Sequence, residues 1–157
     1  ESRHEAVLKR KFCRYVYDVI SQIRIIKSKM RLLTHNILIC NRSECRNGFP
    51  LEISLNGSVE ESTKMLDVEF NKEQIKQIIK KVDWGVLVKN ASQFGLSLPL
   101  SYSEQDFDDE VFLCAVHDAI LRFQIMEAEL ICPICNHRYI VSKGVPNMIF
   151  NSLVSKD

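Results

Sequence analysis

The sequence predicts an α+β fold in which a helical segment is inserted between the two halves of a small antiparallel sheet. Three observations support this prediction. Stretches with the alternation and β-branched content of strands lie towards both ends of the region that starts at residue 30. Helical periodicity fills the middle of that region. Two cysteine pairs, one on each side of the middle, indicate that the two flanks meet in space.

The predicted elements begin with an amphipathic helix. Residues 5–29 carry apolar side chains at every third or fourth position, beside a basic face. The stretches GFPLEISL and MLDVEF are strand-like, and the polar NGSVEESTK between them predicts a turn followed by an exposed stretch. Asn71 is the expected N-cap of a first central helix, and a second helix should start at Trp84 and end near Gly95.

A third central helix should start in the acidic stretch DFDDE. Its carboxylates suit the first turn of a helix, so we expect capping there and not metal binding. Three short strands should follow, around AELIC, RYIVS and VPNMIF. We therefore divide the chain into an extension (1–29), two halves of a sheet domain (30–70 and 127–157) and a helical insertion (71–126). The third helix should bury Val111, Phe112, Ala115, Ala119, Ile120 and Phe123.

Charge is distributed unevenly along the chain. Residues 1–29 contain eight Lys or Arg and three acids, a balance of +5, and residues 30–157 contain 13 and 17, a balance of −4. An acidic body disfavours direct nucleic-acid binding. No apolar run approaches the roughly 20 residues that span a membrane. The extension has three interpretations: a segment that packs on the body or frays, a helix for a partner or membrane surface, and a leftover targeting sequence.

Four of the six cysteines are candidate metal ligands. Cys132 and Cys135 form a CxxC knuckle followed by Asn136, which tolerates the left-handed backbone that turns amides towards sulfur. Cys40 and Cys45 form a looser CxxxxC pair, separated from the knuckle by residues 46–131. In a chain without a secretory signal, such cysteines favour metal binding over disulfides. Four thiolates would close a tetrahedral site without a position for water, so we expect one structural Zn²⁺ per chain. The alternative is an unmetallated knuckle and two free thiols in CNRSEC.

The remaining reactive side chains suggest no catalysis. Cys13 and Cys114 have no partner at ligand spacing, His117 lies within a helix, and His137 is expected to be exposed or to stand behind the ligands. The five glycines are scattered, so the sequence contains neither a phosphate-binding loop nor a dinucleotide fingerprint. It also lacks the elbow that presents a nucleophilic serine. We therefore expect no active site.

From Met30 onward the sequence resembles the multifunctional methyltransferase subunit family, a group of small zinc-bearing activators. The resemblance lies in MRLLTHNIL, GFPLEI, VEFN, KVDWGVL and CPICNHRYIVSKGVPNMIF, in this order, and covers residues 30–153. It implies a zinc-binding domain made from both ends of the module, with a helical insertion. The family usually has Asn-Pro-Glu-Phe where this chain has NKEQ, and residues 1–29 have no family counterpart. The resemblance implies zinc ligation by Cys40, Cys45, Cys132 and Cys135.

The resemblance also implies a function. Family members have no activity alone and bind class I S-adenosylmethionine-dependent methyltransferases. The known partners modify tRNA, rRNA and the glutamine of the GGQ motif in the translation release factor. One subunit would pair with one catalytic chain, in the cytoplasm and the nucleus, without binding nucleic acid or membrane directly. The rival interpretations are a zinc-ribbon module that binds nucleic acid or the transcription machinery, and a stand-alone zinc enzyme.

The predicted contact with the partner is strand addition by the stretch RYIVSKGVPNMIF, whose apolar side chains exceed what a free chain end should expose. Residues 33–36 would lie beside this stretch. For any one of these residues the alternative is ordinary core packing. The predicted contact residues are Leu33, Thr34, His35, Asn36, Tyr139, Ile140, Val141, Val145, Pro146, Asn147, Met148, Ile149 and Phe150.

Overall fold

The computed structural model of the chain describes residues 29–148. The predicted N-terminal helix, Cys13, Ile149 and Phe150 lie outside the described residues, apart from Lys29 at the end of that helix. Within the described part, every helix is too short or too polar to cross a membrane. The elements are α1 (Leu32–His35), β1 (Glu52–Leu55), α2 (Val59–Ser62), β2 (Thr63–Met65), α3 (Lys72–Ile79), α4 (Trp84–Gln93), a 3₁₀ turn (Glu104–Asp108), α5 (Glu110–His117), a π-helical turn (Asp118–Arg122), β3 (Phe123–Ile125), β4 (Ala128–Ile131), β5 (Arg138–Ser142) and β6 (Val145–Pro146).

One antiparallel sheet joins the two ends of the described chain. Its strand order is β1-β4-β5-β6, so β1 pairs directly with a strand that follows the whole helical segment. Side chains alternate along β5, where Tyr139 and Val141 are buried and Ile140 is exposed. The predicted fold class, a mixed structure with a small antiparallel sheet and helices between its halves, is confirmed.

A second, two-stranded sheet corrects the prediction for MLDVEF. Strand β2 ends at Met65 because its partner β3 is only three residues long and follows the π-helical turn directly. Beyond Met65, one further backbone hydrogen bond joins the two segments, from Leu66 N to Arg122 O at 2.8 Å. The stretch before β2 is mostly exposed, as predicted, but it forms the helix α2 because Ser58 and Glu61 form a capping box.

The central helices start where their capping residues predict. Asn71 accepts a hydrogen bond from Gln74 N at 3.0 Å and Asp83 accepts one from Val86 N at 3.1 Å. Asp109 caps α5 in the same way, so the acids of DFDDE cap helices as expected.

The predicted buried face of the third helix is wrong at one position. Val111 is 78% exposed, because the face of α5 that meets the core passes through Phe112, Leu113 and Val116. Phe123 is buried as predicted, but it belongs to β3.

Candidate functional site

The two cysteine pairs meet at one end of the main sheet. Cys40 and Cys45 lie in the irregular segment before β1, and Cys132 and Cys135 lie in the turn between β4 and β5. All four sulfur atoms lie within 4.8 Å of one another. Two sulfur–sulfur distances of 3.6 Å join Cys40 to Cys135 and Cys45 to Cys132. Pairing of β1 with β4 therefore brings together thiols that are far apart in sequence.

Local backbone geometry turns N–H groups towards one of these sulfurs. Asn136 has a φ of 57°, in the left-handed region, as its position after the CxxC predicts. The N–H groups of Ile134 and Cys135 point at Cys132 Sγ, at N···S distances of 3.4 and 3.5 Å. Cys132 N donates to His137 O at 2.9 Å and closes the turn.

Gly48 is a site residue that the sequence analysis missed. A Cβ atom at this position would lie 2.3 Å from Cys132 Sγ and 3.6 Å from Cys40 Cβ. The carbonyl oxygen of Gly48 accepts a hydrogen bond from Cys40 N at 3.0 Å. Only a residue without a side chain lets the first cysteine segment approach the knuckle this closely. The sequence signal was a glycine three residues after a ligand pair, at a point where zinc-site loops turn.

Tyr139 stands behind the cysteines. Its hydroxyl lies 3.1 Å from Cys40 Sγ, donates to Asn41 Oδ1 at 2.8 Å and accepts from Asn41 N at 3.1 Å. Burial, together with the neighbouring Cys40 thiol, raises the pKa of Tyr139 to about 12. The side chain is neutral at ordinary pH and links the first cysteine segment to β5.

The pKa values of two of the four thiols are shifted in opposite directions. Burial acts to raise the pKa of Cys132, but the N–H groups of Cys135 and Ile134 outweigh it and lower that pKa to about 7. Burial raises the pKa of the Cys45 thiol to about 12. A metal ion that binds all four sulfurs must therefore displace protons, more readily from Cys132 than from Cys45.

The donor set fits a thiolate-bound metal ion. A Zn–S bond of about 2.3 Å places the sulfurs of a tetrahedral site roughly 3.8 Å apart, close to the shortest separations here. The cysteines of this cluster are free thiols, and Cys114 is exposed and is not one of the four. His137 does not belong to the ligand group; its ring meets the Tyr139 ring edge-on at 4.6 Å. Four cysteines at this spacing can hold one metal ion.

The outer side of the sheet next to the cysteines carries exposed apolar side chains. Ile140 is 58% exposed and Val145 is 49% exposed, whereas Pro146 and Met148 are half-buried. Strand β6 is the last in the sheet, so its outer edge has no strand partner between residues 29 and 148. Asn147, just beyond it, donates to Ile140 O at 2.8 Å, and Asn41 Nδ2 donates to Met148 O at 2.6 Å. We call Ile140 and residues 145–148 the docking edge.

Five of the predicted contact residues lie in the core of the chain, where their side chains contact other parts of the chain. They are corrected to structural residues: Leu33, His35, Asn36, Tyr139 and Val141 are at most 8% exposed.

Their internal contacts explain this burial. His35 Nε2 lies 2.6 Å from Leu51 O, and the side-chain amide of Asn36 exchanges two hydrogen bonds with the backbone of Asp83. Thr34 is half-buried and donates to Lys29 O at 3.0 Å. Residues 33–36 therefore do not lie beside the docking edge as predicted, because α1 packs against α4 and the π-helical turn.

Comparison with known proteins assigns the chain to a family. The family described as Trm112p-like protein matches residues 31–144. The chain belongs to the Trm112p-like family. That match covers β1 to β5, including all four clustered cysteines, and stops just before β6.

The chain aligns with nearly the whole length of several named relatives. It is 35% identical over 125 residues to "Multifunctional methyltransferase subunit TRM112 homolog A" of Arabidopsis thaliana, which covers 78% of this chain and 97% of the relative. It is 31% identical over 131 residues to "Multifunctional methyltransferase subunit TRM112" of Saccharomyces cerevisiae, with coverage of 76% and 96%. The mouse TRM112-like protein is 35% identical, with coverage of 78% and 95%.

A solved structure has a similar chain. It is the E. cuniculi Mtq2-Trm112 complex, described as responsible for the methylation of the eRF1 translation termination factor. The TM-score is 0.42 and the identity 19%, with coverage of 76% of this chain and 95% of that chain.

Proposed function

We propose that this chain is the non-catalytic, activating subunit of S-adenosylmethionine-dependent methyltransferases that act on tRNA, rRNA and the translation release factor. Relatives that share about a third of its residues are named multifunctional methyltransferase subunits. One structural observation carries the proposal: an edge strand with the exposed Val145 pairs with β5, the strand that follows the turn holding Cys132 and Cys135. An open edge of this kind can take a strand from another protein.

The docking edge suits a partner that also has a sheet. Backbone groups along β6 can provide affinity that does not depend on sequence, while Ile140 and Val145 provide apolar contacts. The half-buried Met148 has a flexible thioether that can adapt to more than one partner. This combination fits a subunit shared by several catalytic chains. We propose a one-to-one complex, present in the cytoplasm and the nucleus, without direct binding of nucleic acid or membrane.

We propose that the metal ion is one Zn²⁺ per chain with a structural role. Bound by Cys40, Cys45, Cys132 and Cys135, a tetrahedral ion would have no position left for water or substrate. The metal would fix the turn between β4 and β5 against the segment before β1, and with it the base of the docking edge. Co²⁺ substitution tests the ligand set, because four thiolates give an intense sulfur-to-metal absorption. Spectra that require an oxygen or nitrogen ligand would favour a stand-alone zinc enzyme instead.

Val145→Asp tests the docking edge. A carboxylate in a desolvated contact should weaken binding to the release-factor glutamine methyltransferase chain of the same organism by at least about tenfold. Val111→Asp is the matched control, since Val111 is 78% exposed on α5, away from the edge. Calorimetric titration gives both affinities, and circular dichroism together with metal content shows that each variant is folded. Equal affinities would remove the docking edge from the proposal, and tight, salt-sensitive RNA binding by the chain alone would favour the nucleic-acid alternative.

A further inference from the structure

A group of unsatisfied polar atoms lies where the small sheet meets the start of the described chain. Four buried side-chain atoms of residues 29–148 have no hydrogen-bond partner: Arg31 Nε, Ser62 Oγ, Gln124 Oε1 and His117 Nε2. The first three belong to residues on neighbouring segments of the β2–β3 sheet. Buried polar atoms are nearly always satisfied, so the unpartnered side-chain atoms of the paired residues Arg31 and Gln124 indicate a ligand or partner group.

Strand pairing places these residues on one face. Gln124 of β3 is directly opposite Lys64 of β2 on one side and opposite Arg31 on the other. Directly opposed residues in antiparallel pairs point to the same side of the sheet. Ser62 is the last residue of α2, and its carbonyl accepts hydrogen bonds from Met126 N and Glu127 N. The face therefore holds two cationic side chains and one amide.

Arg31 has no acidic partner among the described residues. Its side chain is only 7% exposed, and burial lowers its pKa from 12.5. Other arginines do have acidic partners: Arg122, directly before β3, pairs with Asp118 at 2.8 Å, and Arg138 of the main sheet pairs with Glu129. A buried guanidinium without a counter-charge is unfavourable in the free chain, so a compensating anion would gain strongly from binding there.

The position of Arg31 connects it to the docking edge. Met30 N donates to Gly144 O at 2.6 Å, and Gly144 is the residue directly before β6. Gly144 also lies against Gln124, because a Cβ on Gly144 would come within 2.1 Å of Gln124 Nε2. A protein seated on β6 therefore lies next to the face that carries Arg31.

We propose that the catalytic partner places a carboxylate side chain here, which pairs with the Arg31 guanidinium. This inference rests on the proposed function and names a second contact for the same complex. Arg can bind a carboxylate through two parallel N–H donors, which fixes orientation as well as charge. A side-chain carboxylate is favoured over a nucleic-acid phosphate, because residues 30–157 carry a net charge of −4 that repels a polyanion.

Arg31→Met separates this role from a structural one. The methionine keeps much of the apolar volume and removes the unpaired charge, so the free chain should melt at the same temperature as wild type or higher. Binding to the release-factor glutamine methyltransferase chain should weaken by about 30-fold or more, because the partner's carboxylate would be left buried without a cation. Lys89→Met, at an exposed position of α4, is the matched control and should bind like wild type.

The outcomes separate this inference from the proposed function. If wild type binds the methyltransferase and Arg31→Met binds within about twofold of it, the carboxylate contact is refuted while the proposed function stands. If wild type does not bind, both fail. A variant that melts well below wild type yet binds normally would make Arg31 structural. Inorganic phosphate is the remaining probe: if it raises the melting temperature of wild type but not of Arg31→Met, and partner affinity is unchanged between them, the site takes a free anion and the proposal is overturned.

Discussion

The cysteine end of the molecule and the helical insertion are held together by different interactions. Around the cysteines, residues 36–51 contain no helix or strand, and Cys45 and Cys135 are only partly buried. The insertion instead has a dense apolar core from several helices, with side chains at most 1% exposed: Ile75, Ile79, Leu87, Leu113, Val116 and Ile120. We therefore expect the cysteine end to depend on a bound metal ion for its order, whereas the insertion is stabilised by hydrophobic burial.

The largest effect should come from removing a ligand. Cys132→Ser leaves three thiolates and deletes the sulfur towards which two N–H groups point, so metal binding and the folding energy coupled to it should be lost. We expect zinc content near zero and unfolding of the cysteine end, detected by elemental analysis and by chemical-shift changes of residues in β4 and β5. Cys114→Ser, at an exposed cysteine, is the control and should keep one metal ion. Full metal content in Cys132→Ser would contradict the four-sulfur site.

Truncating a buried side chain in the helical insertion should lower the stability of the chain without releasing the metal ion. Leu113 is fully buried on α5, so Leu113→Ala should lower the free energy of unfolding by about 2 to 5 kcal/mol. Val111→Ala, two positions away and mostly exposed, should change it by less than about 0.5 kcal/mol. Urea denaturation measures both. Metal release from folded Leu113→Ala would show that the two regions are not independent.

A smaller effect should follow from crowding the metal centre. In Gly48→Ala the new Cβ would collide with Cys132 Sγ, so the first cysteine segment must move away from the knuckle. We expect zinc affinity to fall by about 10- to 100-fold, by analogy with substitutions of residues that position metal ligands. Competition with a chromophoric chelator measures this affinity. Gly85→Ala, where the nearest atom to a new Cβ is 3.7 Å away, should leave it unchanged.

The smallest effect concerns pH. Burial lowers the pKa of His35 below 6.5, although its hydrogen bond to Leu51 O acts in the opposite direction. As the pH falls, His35 therefore takes up a proton in the unfolded chain before it does so in the folded chain. The contribution of neutral His35 to the free energy of unfolding is complete above about pH 6.5 and is lost as the pH decreases below that value. His35→Gln should show a weaker loss of stability between pH 7.5 and pH 5.5 than wild type in parallel urea titrations. An identical pH dependence would assign the effect to other groups.

Patterns that depend on neighbouring residues were predictable from the sequence. The CxxC and CxxxxC pairs identified the four thiols that meet, and Asn71 identified the start of α3. The alternation of β5 could also have corrected the predicted contact residues. Tyr139 and Val141 must point away from Ile140, so a strand that buries Tyr139 and Val141 can present only Ile140 to a partner.

Features that depend on tertiary pairing were not predictable. The length of β2 is set by β3, which follows a π-helical turn that no local pattern announces. His35 and Asn36 look like surface residues in MRLLTHNIL, yet their partners, Leu51 O and Asp83, come from distant segments. The unpaired Arg31 is visible only once β3 and Gly144 lie beside it.

Reconstituted methyl transfer tests the central claim most directly. The chain alone, the release-factor glutamine methyltransferase chain alone and the equimolar mixture are each incubated with radiolabelled S-adenosylmethionine and the release factor. We predict no transfer by the chain alone and much faster transfer by the mixture than by the catalytic chain, with the gain abolished by Val145→Asp and retained by Val111→Asp. Methyl transfer by the chain alone, or a mixture no faster than the catalytic chain, would contradict the account.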